Sequence, residues 1–312
     1  MSMDVLQEKI RSKKNPTVAG LDPKLDYIPQ YLKDEAFAKY GKTLKGAAEA
    51  YRLFCRGLID ALYEVVPAVK PQSAYFEVLG SEGIAALEDV VAYAKEKDLY
   101  VIMDAKRGDI GSTCDYYANA FLGRVGLAGE ELPVFDADAL TVNPYLGADG
   151  LLPFVKRCHE YDKMIFVLVK TSNPSSGEFQ DRLLEGAPLY ERVGQAVEEL
   201  AQTRLGRYGY GCAGGVVGAT YPEQLAALRA AMPHTFFLVP GYGAQGGGAK
   251  DAAAAFDARG LGAVVNSSRG IICAWSRHKK DEREFAKAAR EEALAMKEEL
   301  LRAIGHPIGE ER

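Results

Sequence analysis

The sequence is short of every residue pattern that would place it outside the ordinary globular class. Its five cysteines (Cys55, Cys114, Cys158, Cys212 and Cys273) are scattered, odd in number and without a C-x-x-C pair. That excludes a sequence-evident zinc site and argues against a disulfide framework. The four histidines, His159, His234, His278 and His306, lack metal-ligand spacing. No basic run is longer than Lys279-Lys280, and 38 basic against 43 acidic side chains leave a net charge of −5. Nothing there calls for nucleic acid as a partner. The longest apolar run, Met164 to Val169, is far too short to cross a membrane. The opening stretch MSMDVLQEKIRSKKNP lacks the apolar centre of a signal peptide and carries Asp4 and Glu8, which transit peptides avoid. The expected location is cytoplasmic.

What is present is 312 residues with 48% apolar and 26% charged side chains, enough to bury a sizeable core. Short apolar runs rich in β-branched residues recur at Thr17–Asp22, Val65–Lys70, Leu99–Asp104, Ala139–Asn143, Met164–Lys170, Gly214–Gly218, Thr235–Val239 and Leu261–Asn266. Each is nearly continuous rather than alternating, as strands buried on both faces are. Amphipathic stretches lie between them. Glu82–Lys97 puts Ile84, Leu87, Val91 and Ala94 on one stripe, and Leu189–Leu200 does so with Val193, Ala196, Val197 and Leu200. A last helix over about 281–304 carries Phe285, Ala289, Ala293, Met296 and Leu300 opposite a charged, solvated face. Strand alternating with helix about eight times predicts an α/β fold, a (β/α)8 TIM barrel, with a doubly wound open sheet as the alternative. No linker or internal repeat divides the chain, so one domain over 1–312 is expected, with βα-loop insertions at roughly 24–50, 112–138 and 171–188.

In a barrel, functional groups sit where strands end. Here the strand ends are polar: Asp22, Lys70, Asp104, Asn143, Lys170-Thr171-Ser172, Thr220 and Asn266. The densest cluster is IMDAKRGDIGST. Asp104 and Lys106 are two apart and share a face of a strand, and Asp109 follows beyond Gly108. Opposed charges this close favour one another's ionised states, so Lys106 reads as a cation and proton donor, which disfavours Schiff-base chemistry. The second cluster is FFLVPGYGAQGGGAK followed by VVNSSRGI. Gly241, Gly243 and Gly246 fit G-x-G-x-x-G, but no acidic ribose partner lies at the spacing of a dinucleotide fold. A glycine loop after the seventh strand with Arg269 after the eighth instead matches the common phosphate site of barrels.

Together these residues resemble the orotidine 5′-phosphate decarboxylase family, in its larger bacterial subgroup. Asp22, Lys70, DAKRGDIGST, TSNP, PGYGAQGG and Arg269 occur in the family's order across residues 22 to 269. The resemblance implies a homodimeric carboxy-lyase of pyrimidine biosynthesis that makes UMP from orotidine 5′-phosphate without metal or organic cofactor. It implies a charged set of Lys70, Asp104 and Lys106 from one subunit and Asp109 from the other. Asp22, with Asp109 and Thr113 across the interface, would bind the ribose, and Ser172 the pyrimidine amide edge. Gln245 and Arg269, with Gly246 and Gly247 of the glycine loop, would hold the phosphate. No nucleic acid or membrane partner is implied. Two other readings remain open. One is a Mg²⁺-dependent relative such as a 3-keto-gulonate-phosphate decarboxylase or hexulose-phosphate synthase, which needs an acidic ligand where this chain has Lys70. The other is a phosphosugar- or nucleotide-binding barrel without catalysis.

Overall fold

Burial on both faces ties the strand runs to a closed barrel. The computed structural model describes residues 1–243, 246–305 and 308. The eight barrel strands, here β1 to β8, are Thr17–Leu21, Ala68–Pro71, Tyr100–Arg107, Ala139–Val142, Met164–Lys170, Ala213–Val217, Phe237–Val239 and Ala263–Ser267. Each pairs in parallel with its neighbours in chain order, and β8 closes onto β1 with Thr17 opposite Val265. The chain is therefore a (β/α)8 barrel and not an open sheet. Three strands begin two or three residues later than their apolar runs. Val65, Val66 and Thr235 are buried, but their amides donate to Leu62 and Met232 carbonyls and so finish the preceding turns.

Two apolar clusters hold the barrel. The outer one lies between strands and helices. The inner one fills the barrel with Val18, Ala68, Ile102, Ala139, Phe166 and Val264. Helix Ser2–Lys13 drives Met3, Leu6 and Ile10 into the open N-terminal end and completes that cluster. Each such side chain contributes roughly 1.5–3 kcal/mol by leaving water. With that end filled, the barrel's cavity opens at the C-terminal rim.

Helix Phe285–Ile304 buries the expected stripe and is led by a short turn that Asp281 caps. Helix Leu189–Gln202 does not bury Ala196; its inner face is Tyr190, Gly194, Val197, Glu198 and Ala201. Glu198 goes inward because its carboxylate accepts hydrogen bonds from the His234 backbone and the Thr235 hydroxyl, which offsets its desolvation.

The insertions carry structure of their own. The first holds helix Gln30–Tyr40. The second holds helix Gly111–Phe121 and an exposed hairpin, Val125–Leu127 with Glu130–Leu132. The third holds a short turn, Pro174–Glu178, and a small hairpin, Leu183–Leu184 with Ala187–Pro188. All five cysteines are free and buried, and among the described residues no helix is long and apolar enough to cross a membrane.

Candidate active site

A cavity of about 490 Å³ opens at the C-terminal ends of the strands. Two larger grooves lie on the outer helices, and neither is lined by barrel strands. The floor of the rim cavity is polarised. Lys70, Asp104 and Thr141 stand on β2 to β4, while Leu168, Val216 and Leu238 face them from β5 to β7.

Asp104 is the hub. Its Oδ2 accepts from Lys70 Nζ at 2.6 Å, and its Oδ1 accepts from Lys106 Nζ at 2.7 Å and from the Thr141 hydroxyl at 2.9 Å. Burial alone would raise the Asp104 carboxyl, but attraction from Lys70 and Lys106 outweighs it and holds the group well below the usual carboxylate range. Burial likewise works against the Lys70 ammonium, yet Asp104 and Asp22 keep it above the ordinary lysine value. Asp104 and Lys70 are nearly inaccessible, whereas the Lys106 side chain is 45% exposed and reaches the cavity.

The meeting of Asp104 and Lys106 does not follow from plain strand alternation. The pairing of β3 with β4 shifts between Met103 and Arg107, and Lys106 takes a left-handed φ of 48°. Such a kink leaves backbone groups without strand partners. Thr141 supplies one, because its hydroxyl accepts from the amides of Ala105 (3.1 Å) and Lys106 (2.9 Å). Thr141 escaped the sequence reading as an uncharged residue inside an apolar run. A lone hydroxyl in the apolar run Ala139–Val142, beside the strand that carries Asp104, is the signal that could have found it.

Asp22, Ser172 and Arg269 line the cavity. Among the described residues, Asp22 keeps one buried oxygen, Oδ1, without a protein partner, and so does Asn266, whose amide nitrogen faces Ser268 at 3.4 Å. Two unpaired acceptors in one cavity suit a ligand rich in hydroxyl donors. Ser172 is seated by Gly218, where a Cβ would come within 2.8 Å of the serine Cβ. Thr171, Asn173 and Gln180 complete that wall, with Gln72 near Asp104; the sequence reading had singled out neither glutamine.

Other expected residues lie elsewhere. Asp109 turns its carboxylate onto the Ile110 amide at 2.8 Å, Thr113 is exposed, and neither lines the cavity of its own chain. Asn143 also stays outside, accepting from the Tyr145 amide. Gly246 and Gly247 are not in the wall either: their amides donate to Gly243 and Gly241 carbonyls within the loop, and Gly246 uses a φ of 95°. Gln245 lies outside the described residues. Among the described residues no group of three or more His, Cys, Asp or Glu side chains is placed to hold a metal ion.

The chain also resembles known proteins over nearly its whole length. Residues 54–283 match the model of the orotidine 5′-phosphate decarboxylase / HUMPS family. The chain is 49% identical to an orotidine 5′-phosphate decarboxylase of Rhodopirellula baltica, covering 91% of this chain and 93% of that protein. It is 40% identical to the protein of that name from Caldicellulosiruptor bescii, covering 96% and 98%. The solved structure of Leishmania donovani OMP decarboxylase superposes with a TM-score of 0.69 at 35% identity, covering 95% of this chain and 98% of that one.

Proposed function

The chain belongs to the orotidine 5′-phosphate decarboxylase / HUMPS family, and from that premise we propose that it converts orotidine 5′-phosphate to UMP and CO2 in pyrimidine biosynthesis. The observation that carries the reading is the Lys70–Asp104–Lys106 array on the cavity floor. Decarboxylation breaks the bond between C6 and the carboxyl carbon. The bonding pair stays on C6 in the ring plane, where the π system cannot take it up. Lys106, held by Asp104, stabilises that charge and passes its proton to C6, and solvent then reprotonates the amine. A charge fixed in advance is worth more than one that must reorient as the reaction proceeds. Lys70 fixes Asp104, and repulsion between Asp104 and the substrate carboxylate is secondary.

The remaining residues fit the rest of the substrate. The unpaired Asp22 oxygen suits a ribose hydroxyl, Ser172 the pyrimidine amide edge and Arg269 the phosphate dianion. Gly246, Gly247 and Gln245 are the further phosphate-binding residues of this reading, so binding energy far from C6 contributes to the rate. Asp109 and Thr113 serve the site of a second copy. Supporting this, their stretch also exposes Ile110 and Tyr116, and the loop after β4 exposes Tyr145 and Leu146, apolar side chains of the kind an interface covers.

A metal-dependent phosphosugar reaction is less well supported. Both Asp104 oxygens already take ammonium donors, and Lys70 puts positive charge where that chemistry needs an acidic ligand. The test is the ultraviolet absorbance of orotidine 5′-phosphate with purified protein in excess EDTA. The proposal expects rapid conversion to UMP. No conversion by folded, dimeric protein, together with activity on keto-sugar phosphates in Mg²⁺, would overturn it.

A further inference from the structure

Lys170 ends β5 and is completely buried, yet it takes no part in the cavity. The pairing of β5 with β6 skips Val169, matching Leu168 to Val216 and Lys170 to Val217. That shift breaks the alternation just above Leu168, so Thr171 and Ser172 line the cavity while Lys170 turns beneath the third insertion. There its Nζ donates to Asp181 Oδ1 at 2.6 Å and to the Ser176 hydroxyl at 3.3 Å, with the rings of Tyr221 and Tyr190 at 4.5 and 5.5 Å. Asp181 and Ser176 both belong to the insertion. A buried ammonium stripped of its carboxylate is costly, so the insertion cannot lift away without exposing or stranding that charge.

The same segment forms one wall of the cavity. Gln180, next to Asp181, accepts from the Thr171 amide at 2.9 Å and donates to the Thr171 hydroxyl at 2.7 Å. Its own carbonyl accepts from the Tyr190 amide at the start of the following helix. We propose that Lys170 is a positioning residue: with Asp181 it latches segment 171–188 onto the barrel rim, so that Thr171, Ser172 and Gln180 stand ready for the base of the substrate. This rests on the functional reading above only for the identity of the substrate.

The test compares wild type with Lys170→Met, Asp181→Asn and the double variant. Three quantities are read: steady-state constants on orotidine 5′-phosphate, UMP affinity by calorimetry, and trypsin cleavage after Arg182, an exposed residue of the latched segment. Each single variant should raise KM and weaken UMP binding about tenfold, within the ~100-fold that small misplacements cost. kcat should change much less. Cleavage after Arg182 should accelerate by a similar factor, and the double variant should be no worse than the worse single one, as for two members of one unit. Asp181 lies in the exposed insertion, so Asp181→Asn carries the test if Lys170→Met does not fold. Variants with lowered thermal stability but wild-type KM, UMP affinity and cleavage would overturn the proposal and leave Lys170 a packing residue. If wild type itself leaves orotidine 5′-phosphate unchanged, the functional reading fails, and the trypsin comparison still decides the latch.

Discussion

Thr141 donates its hydroxyl proton to Asp104 Oδ1 at 2.9 Å while both its lone pairs are taken by the Ala105 and Lys106 amides. One neutral side chain thus orients the central carboxylate and supports the left-handed backbone of the lysine beside it. Thr141→Val keeps the shape and removes all three bonds. A lost hydrogen bond to a charged group is worth ~1.5–3 kcal/mol, so kcat should fall about 10- to 100-fold. Thr141→Ser should recover most of it. Steady-state kinetics of both variants, with thermal unfolding as a control, check this; equal kinetics for the valine and serine variants would contradict it.

Asp104 also sets an acid limit on stability. Its carboxyl lies lower in the folded chain than when unfolded, so on acidification the unfolded chain takes up this proton first. The stabilisation is complete above the unfolded value, about 4, and is lost as pH falls from there toward the folded value. Asp104→Asn removes that slope, although it lowers stability at neutral pH by leaving Lys70 without its carboxylate. Urea unfolding at pH 5, 4 and 3 should show wild type losing more stability over this range than the variant. Parallel losses would mean that the Asp104 shift contributes nothing.

Asp109 does not line the cavity of its own chain, and a role for it in a second copy's site predicts complementation between dead variants. Lys106→Ala and Asp109→Ala should each be inactive alone. After subunit exchange half the dimers are hybrids with one intact site of two, so activity should return to about a quarter of wild type. Exchange confirmed by mass spectrometry without returning activity would exclude a site shared between subunits.

The barrel was legible because strands covered on both faces leave continuous apolar runs, and all eight expected runs are strands. Their starts were less clear, since Val65, Val66 and Thr235 are as buried as strand residues but spend their amides on the preceding turns. The role of Ser2–Lys13 as a floor was not legible, because nothing local says that Met3, Leu6 and Ile10 face a barrel interior. In the site, charge advertised Lys70, Asp104 and Lys106, whereas Thr141 and Gln180 act through neutral groups whose partners come from 35 and nine residues away. Ala196, expected on the inner stripe, is exposed, while Glu198 is buried because its carboxylate found donors on another element.

The most direct measurement is the turnover of orotidine 5′-phosphate by Lys106→Ala beside its affinity for UMP. Removing a single preorganised donor costs about 10²–10³ in rate, and Lys106 supplies the proton as well, so kcat should fall at least ~1000-fold. UMP binding should stay within about tenfold of wild type, since the lost interaction belongs to the transition state. A folded Lys106→Ala protein that decarboxylates at a rate near wild type would contradict the account.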